Sequence, residues 1–196
     1  MNALVTLLPA LLLNTTTIAA SDPGGADEAV FEASVLRQIL SGTDCAGLRF
    51  YNALPAQGGG GTVMVVGIRA DGTEILAGKD QPYATNGGTA ANPAAARWLT
   101  KADAAQACAR VAAGGQTSFS ASIGAADVNA LLDMERCTGI GVSANGAGFV
   151  LSAYSTQDGK MMKMGEGEDF EKSSGDPCPN VCGSLTNYVN EAQLNK

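Results

Sequence analysis

Histidine is absent from all 196 residues, and that absence removes more chemistry than any motif supplies. Activation of a nucleophile by Ser-His-Asp or Cys-His, imidazole metal ligands and imidazole proton shuttles are all excluded. Basic residues are scarce as well, with 12 Lys and Arg against 19 Asp and Glu, a net charge of -7 and a pI near 4.5. No nucleic-acid partner is expected of such a chain, because affinity for phosphates depends on clustered cations that release counterions. The lack of a polybasic run argues equally against an anionic membrane surface. Aromatics make up only 5%, so the core has to rest on Val, Leu, Ile, Met and Ala. An enzyme would be left with carboxylates, Lys, Cys or an Asp-only metal site. The expectation is a non-enzymatic protein with no cofactor, no catalytic residue and no metal.

What the sequence does contain is a pattern that recurs. The stretch from Val35 to Leu76 reads as the end of an amphipathic helix, a Gly stop at Gly42, a strand opening at Cys45, a glycine-rich connection, a second strand, an Asp-Gly turn and a third strand. A shorter copy runs from Val128 to Met162. Leu40 precedes Cys45 by the same spacing as Leu132 precedes Cys137, and Cys45-Ala46-Gly47-Leu48 matches Cys137-Thr138-Gly139-Ile140. Each copy then reaches an Asp-Gly pair between apolar runs, Asp71-Gly72 and Asp158-Gly159, a strong hairpin signal. The expected fold is α+β: two related helix-plus-antiparallel-sheet units, an internal duplication, with an apolar N-terminal arm. The arm covers 1–21, the first unit 22–90, the second unit with its leading helix 91–175, and a Cys-containing tail 176–196. Units this small are expected to pack together, by pseudo-twofold symmetry or side by side.

In chain order, Asp27 caps an expected helix from Glu28 to Leu40, with Phe31, Val35, Leu36, Ile39 and Leu40 on one face. Leu48 and Phe50 alternate with Arg49 and Tyr51 along the next strand. The run from Gly58 to Gly61 lacks the Lys-Ser/Thr and the following helix of a phosphate cradle and reads as a hairpin connection. Val63 to Ile68 reads as a buried central strand. Residues 78–90 read as a loop. Asn92 and Pro93 open an alanine-rich helical region to Ala113, in two pieces meeting near Thr100, with Trp98 anchoring it to the sheet. The second unit adds a short strand near Ser118 to Ala121, a helix from Gly124 to Met134, and strands at Cys137 to Ala144, Phe149 to Tyr154 and Lys160 to Met164. The acidic stretch from Glu166 to Glu171 lacks the ligand order of a calcium loop and reads as solvated.

The two ends are unusual. Residues Ala3 to Ala20 are apolar, and no Lys or Arg precedes Arg37. A signal peptide lacks its basic start here, and Pro9, Asn14 and three threonines interrupt a membrane span of minimal length. The expectation is an arm, helical or extended through Leu13 and then a strand over Thr15 to Ala19. Its Leu4, Val5, Leu7, Leu8, Leu11, Leu12 and Leu13 would expose several hundred Å² at roughly 25 cal/mol per Å², so burial against another copy or a partner subunit is expected. Among the cysteines, Cys45, Cys108 and Cys137 read as small buried hydrophobes. Cys178 and Cys182 form a candidate local disulfide if the compartment is oxidising; a redox pair or half a metal site fits their spacing less well.

From Ala94 to Gly183 the chain resembles a family of uncharacterised bacterial proteins. The residues that carry the likeness are Trp98, Phe119-Ser120, Leu131-Leu132, Cys137-Thr138-Gly139-Ile140, Asp158-Gly159 and the tail Cys178 to Gly183, a Cys-Pro-x-x-Cys-Gly-like ending. The resemblance implies a duplicated or extended member and imports no activity. The expected function is a self-associating subunit of a bacterial assembly, a surface filament or a secreted or phage-like particle, outside the cell or at its surface. The alternative is a ligand-binding or thiol/metal-dependent protein using the tail cysteines and the acidic loop.

Overall fold

A computed structural model describes residues 28–54, 62–76, 78–113, 120–145 and 148–174. The seven aliphatic residues of the arm from Leu4 to Leu13, the connection at 58–61 and the pair Cys178 and Cys182 lie outside the described residues. In chain order the elements are β1 (Ala29–Glu32), α1 (Ala33–Leu40), β2 (Gly47–Asn52), β3 (Val63–Ile68), β4 (Tyr83–Thr85), β5 (Gly88–Thr89), β6 (Arg97–Leu99) and α2 (Lys101–Ala113). They continue as β7 (Ser120–Gly124), α3 (Ala125–Leu132), β8 (Gly139–Asn145), β9 (Gly148–Gln157), β10 (Lys160–Lys163) and β11 (Glu171–Ser173).

The fold is mixed α+β with two antiparallel sheets. One runs β10-β9-β8-β1-β5, with β11 also paired to β9; the other runs β6-β4-β3-β2-β7. The strands cross over between the sheets. β1, which leads into α1, pairs with β8 and β5, whereas β7, which leads into α3, pairs with β2. Each ladder is extended into the helix that follows: Ala33 N–H donates to Thr138 O at 2.9 Å, and Ala125 N–H donates to Ala46 O at 2.9 Å. Beyond each helix the chain turns through a left-handed residue, Asp44 at φ 61 and Arg136 at φ 69, before its cysteine.

One core joins the inner faces of both sheets to α1 and α3. It contains Phe31, Phe50, Phe149, Leu36, Ile39, Leu48, Val65, Leu131, Leu132, Ile140 and Leu151. Phe50 meets Phe31 edge-on at 5.9 Å between ring centroids and lies 6.1 Å from Phe149. A second cluster lies under α2, where Ala104, Ala107 and Cys108 cover Tyr51, Met64 and Tyr83. Small helix residues let α2 approach the sheet closely, which accounts for its alanine content.

Several expected elements differ. The helix expected from Glu28 begins only at Ala33, because residues 29–32 pair with β8, and 29–30 also with β5, and sheet pairing outweighs their helical spacing; its N-cap is Glu32. After the turn at Asp71-Gly72, where Gly72 has φ 81, the expected third strand reduces to one bridge between Ile68 and Glu74. The place beside β3 is taken by β4, inside the expected loop 78–90, because Tyr83 and Ala84 are fully buried there. The region after Pro93 is not helical until Lys101. Arg97–Leu99 pairs with β4 instead, which places Trp98 in the sheet itself. Thr100 then caps α2, its hydroxyl accepting Asp103 N–H at 3.2 Å and donating to the Asp103 carboxylate at 2.8 Å. The acidic stretch ends in β11, whose Glu171 is half-buried. β5, Gly88–Thr89, also lies in the expected loop 78–90, whereas β2, β3 and β7 to β10 match their expected positions within a few residues.

Candidate functional site

Alternation along β9 sends Phe149, Leu151 and Ala153 into the core and Ser152 and Tyr154 to the outer face of the six-stranded sheet. There the Tyr154 hydroxyl donates to Glu28 Oε2. The two side chains meet above Gly141 of β8, where a Cβ would stand 2.4 Å from Tyr154 Cε2 and 2.8 Å from Glu28 Cδ. Only glycine leaves that room. Glu28 is 9% exposed, and its second oxygen, Oε1, is buried without a hydrogen-bond partner. Burial therefore pushes the Glu28 carboxyl above its ordinary value, against the hydrogen bond from Tyr154 and the charge of Lys163; Glu171 adds a further upward push. Tyr154 is raised too, first by burial and then by its bond to Glu28. Alongside, Lys163 of β10 pairs with Glu171 of β11 and holds the Glu171 carboxyl below its ordinary value.

The outer face of the five-stranded sheet carries a second polar group. Glu74 accepts hydrogen bonds from Tyr51 on one oxygen and from Tyr83 on the other, the latter at 2.7 Å. Arg49 Nη1 lies 3.7 Å from Glu74 Oε1, and Arg49 Nε donates to Ser122 Oγ at 3.2 Å. Burial and the neighbouring Glu74 raise Tyr51 well above its ordinary value. Both carboxylate oxygens are engaged, so this group binds the turn at 69–76 to β2, β4 and β7 rather than presenting a free base.

The described cysteines, Cys45, Cys108 and Cys137, occupy inert settings. Cys45 Sγ and Cys137 Sγ each donate to the carbonyl two residues on, Gly47 O and Gly139 O, both at 3.3 Å. All three described cysteines are free thiols. Burial pushes the Cys137 thiol up, which suppresses the thiolate that nucleophilic or metal chemistry needs. Among the described residues no group of three or more Cys, Asp or Glu is placed to hold a metal ion. No described helix is long and apolar enough to cross a membrane.

Among the described residues, β7 is the last strand of the five-stranded sheet. Because Ala125 N–H continues the ladder to Ala46 O, and backbone direction alternates, Ala121 and Ile123 face β2 while Ser122 directs its N–H and C=O away from it.

Sequence reasoning missed Glu28, Tyr154, Arg49 and Glu74, which look like ordinary surface positions. One signal was available: glycines at both 139 and 141 in a strand mark close approach by something else. Comparisons with known protein families, with characterised proteins and with solved structures found no match.

Proposed function

We propose that this chain is a non-enzymatic, self-associating structural subunit of a larger bacterial assembly, such as a surface filament or a secreted or phage-like particle, built on an internal duplication. The observation that carries this reading is the reciprocal placement of β1 and β7. Asp44 and Arg136, Gly47 and Gly139, and the donors Ala33 and Ala125 are each separated by the same sequence distance as Cys45 and Cys137. On this reading each unit lends its first strand to the other's sheet, so the fold is made by one unit binding a copy of itself. Supporting it further, the buried titratable groups are spent on one another, Glu74 on Tyr51, Tyr83 and Arg49, and Glu28 on Tyr154. The resemblance to the uncharacterised bacterial family belongs to the same proposal, as does association through the arm. The test is the native mass of the purified full-length chain with a micrograph of the same sample. An ordered oligomer or polymer is expected, and a monodisperse monomer at every concentration tried contradicts the reading.

A further inference from the structure

The correspondence between the two units runs past their Asp-Gly turns into the strand that follows each. Tyr51 pairs with Met64 as Ser143 pairs with Val150, and Arg49 pairs with Val66 as Gly141 pairs with Ser152. Ile75 N–H donates to Gly67 O as Met164 N–H donates to Ala153 O, both at 2.9 Å. β4 then adds beside β3 where β11 adds beside β9: Ala84 stands opposite Val65, and Lys172 opposite Leu151, the counterpart of Val65. Both strands end on the same contact. Asn86 N–H donates to Val63 O at 3.0 Å while its side chain accepts Val63 N–H at 2.9 Å; Ser174 N–H donates to Phe149 O and its hydroxyl accepts Phe149 N–H, both at 2.8 Å. Past Asn86 the first unit continues into β6 and α2, and α2 lies over the outer face of its sheet at Tyr51, Met64 and Tyr83. The counterparts of those three are Ser143, which is exposed, and Val150 and Glu171, which are half-buried. No described helix lies over them, since α1 and α3 belong to the core between the sheets and α2 to the other face.

We propose that residues 187–196 of this same chain, as a helix capped by Thr186, lie over the outer face of the six-stranded sheet at Ser143, Val150 and Glu171. This rests on the internal duplication in the reading above and names what covers the second sheet. Residues 175–196 lie outside the described residues. Their sequence has Leu185-Thr186 where the first unit has Leu99-Thr100, after connections of similar length, 87–98 and 175–184. Thr100 is the residue that caps α2. Counted from that threonine, Ala104, Ala107 and Cys108, which cover the first sheet, correspond to Asn190, Gln193 and Leu194. Size and polarity change together. In the first unit three small helix residues face two tyrosines and a methionine; in the second, three larger ones face a serine, a valine and a glutamate. Both interfaces are thereby filled, and the two amides meet a hydroxyl and a carboxylate able to pair with them. β11 ends at Ser173 beside this face, so the short connection holds the chain's own segment there at an effective concentration that a segment of another chain lacks.

Both tests use the full-length chain. Hydrogen exchange read by peptide mass is expected to be slowed about tenfold or more over residues 190–196 of the wild type, against the unfolded chain. Leu194→Asp is expected to abolish that slowing and to leave α2 unchanged. The double variant Ser143→Cys/Leu194→Cys, isotopically labelled, mixed with its unlabelled form, oxidised and mapped by peptide mass, identifies the occupant. Cys108 marks the choice of pair: its thiol lies 3.8 Å from Asn52 O, beside Tyr51, the counterpart of Ser143. A disulfide joining positions 143 and 194 of one chain is expected. Unslowed exchange over 190–196 in the wild type, a missing link, or a link found only between labelled and unlabelled chains overturns the proposal. Native mass on the same samples keeps the two readings apart. A monomer with the link inside one chain contradicts self-association and leaves this assignment standing, whereas an oligomer without the link overturns only the assignment.

Discussion

Tyr154 of β9 reaches across β8 to donate its phenolic hydrogen to Glu28 at the start of β1, and the strand it crosses carries glycine at the crossing point, Gly141. Three strands of one sheet are thereby tied on the outer face by two side chains, one of them a buried carboxylate with an unsatisfied oxygen.

That carboxylate makes stability depend on pH in a defined direction. Its folded value lies above the ordinary 4.5, so the folded state holds the proton more tightly than the unfolded chain. Stability from this group is fully present below the unfolded value and is lost as pH rises through the raised folded value. Glu28→Gln is therefore expected to flatten the dependence of Tm on pH between 4 and 7 and to be the more stable protein at pH 7. Thermal denaturation across that range checks it; an unchanged pH profile in the variant shows that the group does not titrate in this way.

Filling the crossing point is the complementary change. Gly141→Ala places a methyl 2.4 Å from the Tyr154 ring, and overpacking of this kind costs about 1–3 kcal/mol. Urea denaturation measures it, with Gly148→Ala as a comparison, since the nearest obstacle there is the Ser174 hydroxyl. Equal stability of Gly141→Ala and wild type means that the strands yield more readily than the packing implies.

Glu74 is expected to matter more than any exposed acid. Glu74→Ala leaves Arg49 buried without its carboxylate and removes the acceptor of Tyr51 and Tyr83, a loss of about 3–5 kcal/mol for breaking a buried pair. Tyr83→Phe removes one bond and is expected to cost about 1 kcal/mol. Chemical denaturation of both variants separates these values, and a loss in Glu74→Ala no larger than in Tyr83→Phe contradicts the account of a shared buried network.

The parts of the fold legible in the sequence are those where local chemistry decides conformation. The Asp71-Gly72 and Asp158-Gly159 turns are present as expected, because Gly72 and Gly159 take positive φ at little cost. The Val63 to Ile68 strand follows from a continuous apolar run. Some strands that depend on distant partners were illegible: residues 29–32 have helical spacing, and only β5 and β8, far along the chain, make them a strand. Tyr83 and Ala84 sit between polar and glycine-rich residues, and only their place beside β3 buries them. The polar pairs were hidden for a related reason. Arg49 and Glu74 have the look of solvent-facing alternation, and it is α2 and the turn after β3 that cover this face.

The most direct test of the assembly account is a native mass measurement on the full-length chain beside a chain lacking residues 1–20, with circular dichroism on both. The account predicts that the full-length protein is oligomeric and that the truncated one is folded, soluble and monomeric. If the truncated chain forms the same oligomer, or fails to fold, the arm is not an assembly element and the proposed function loses its principal support.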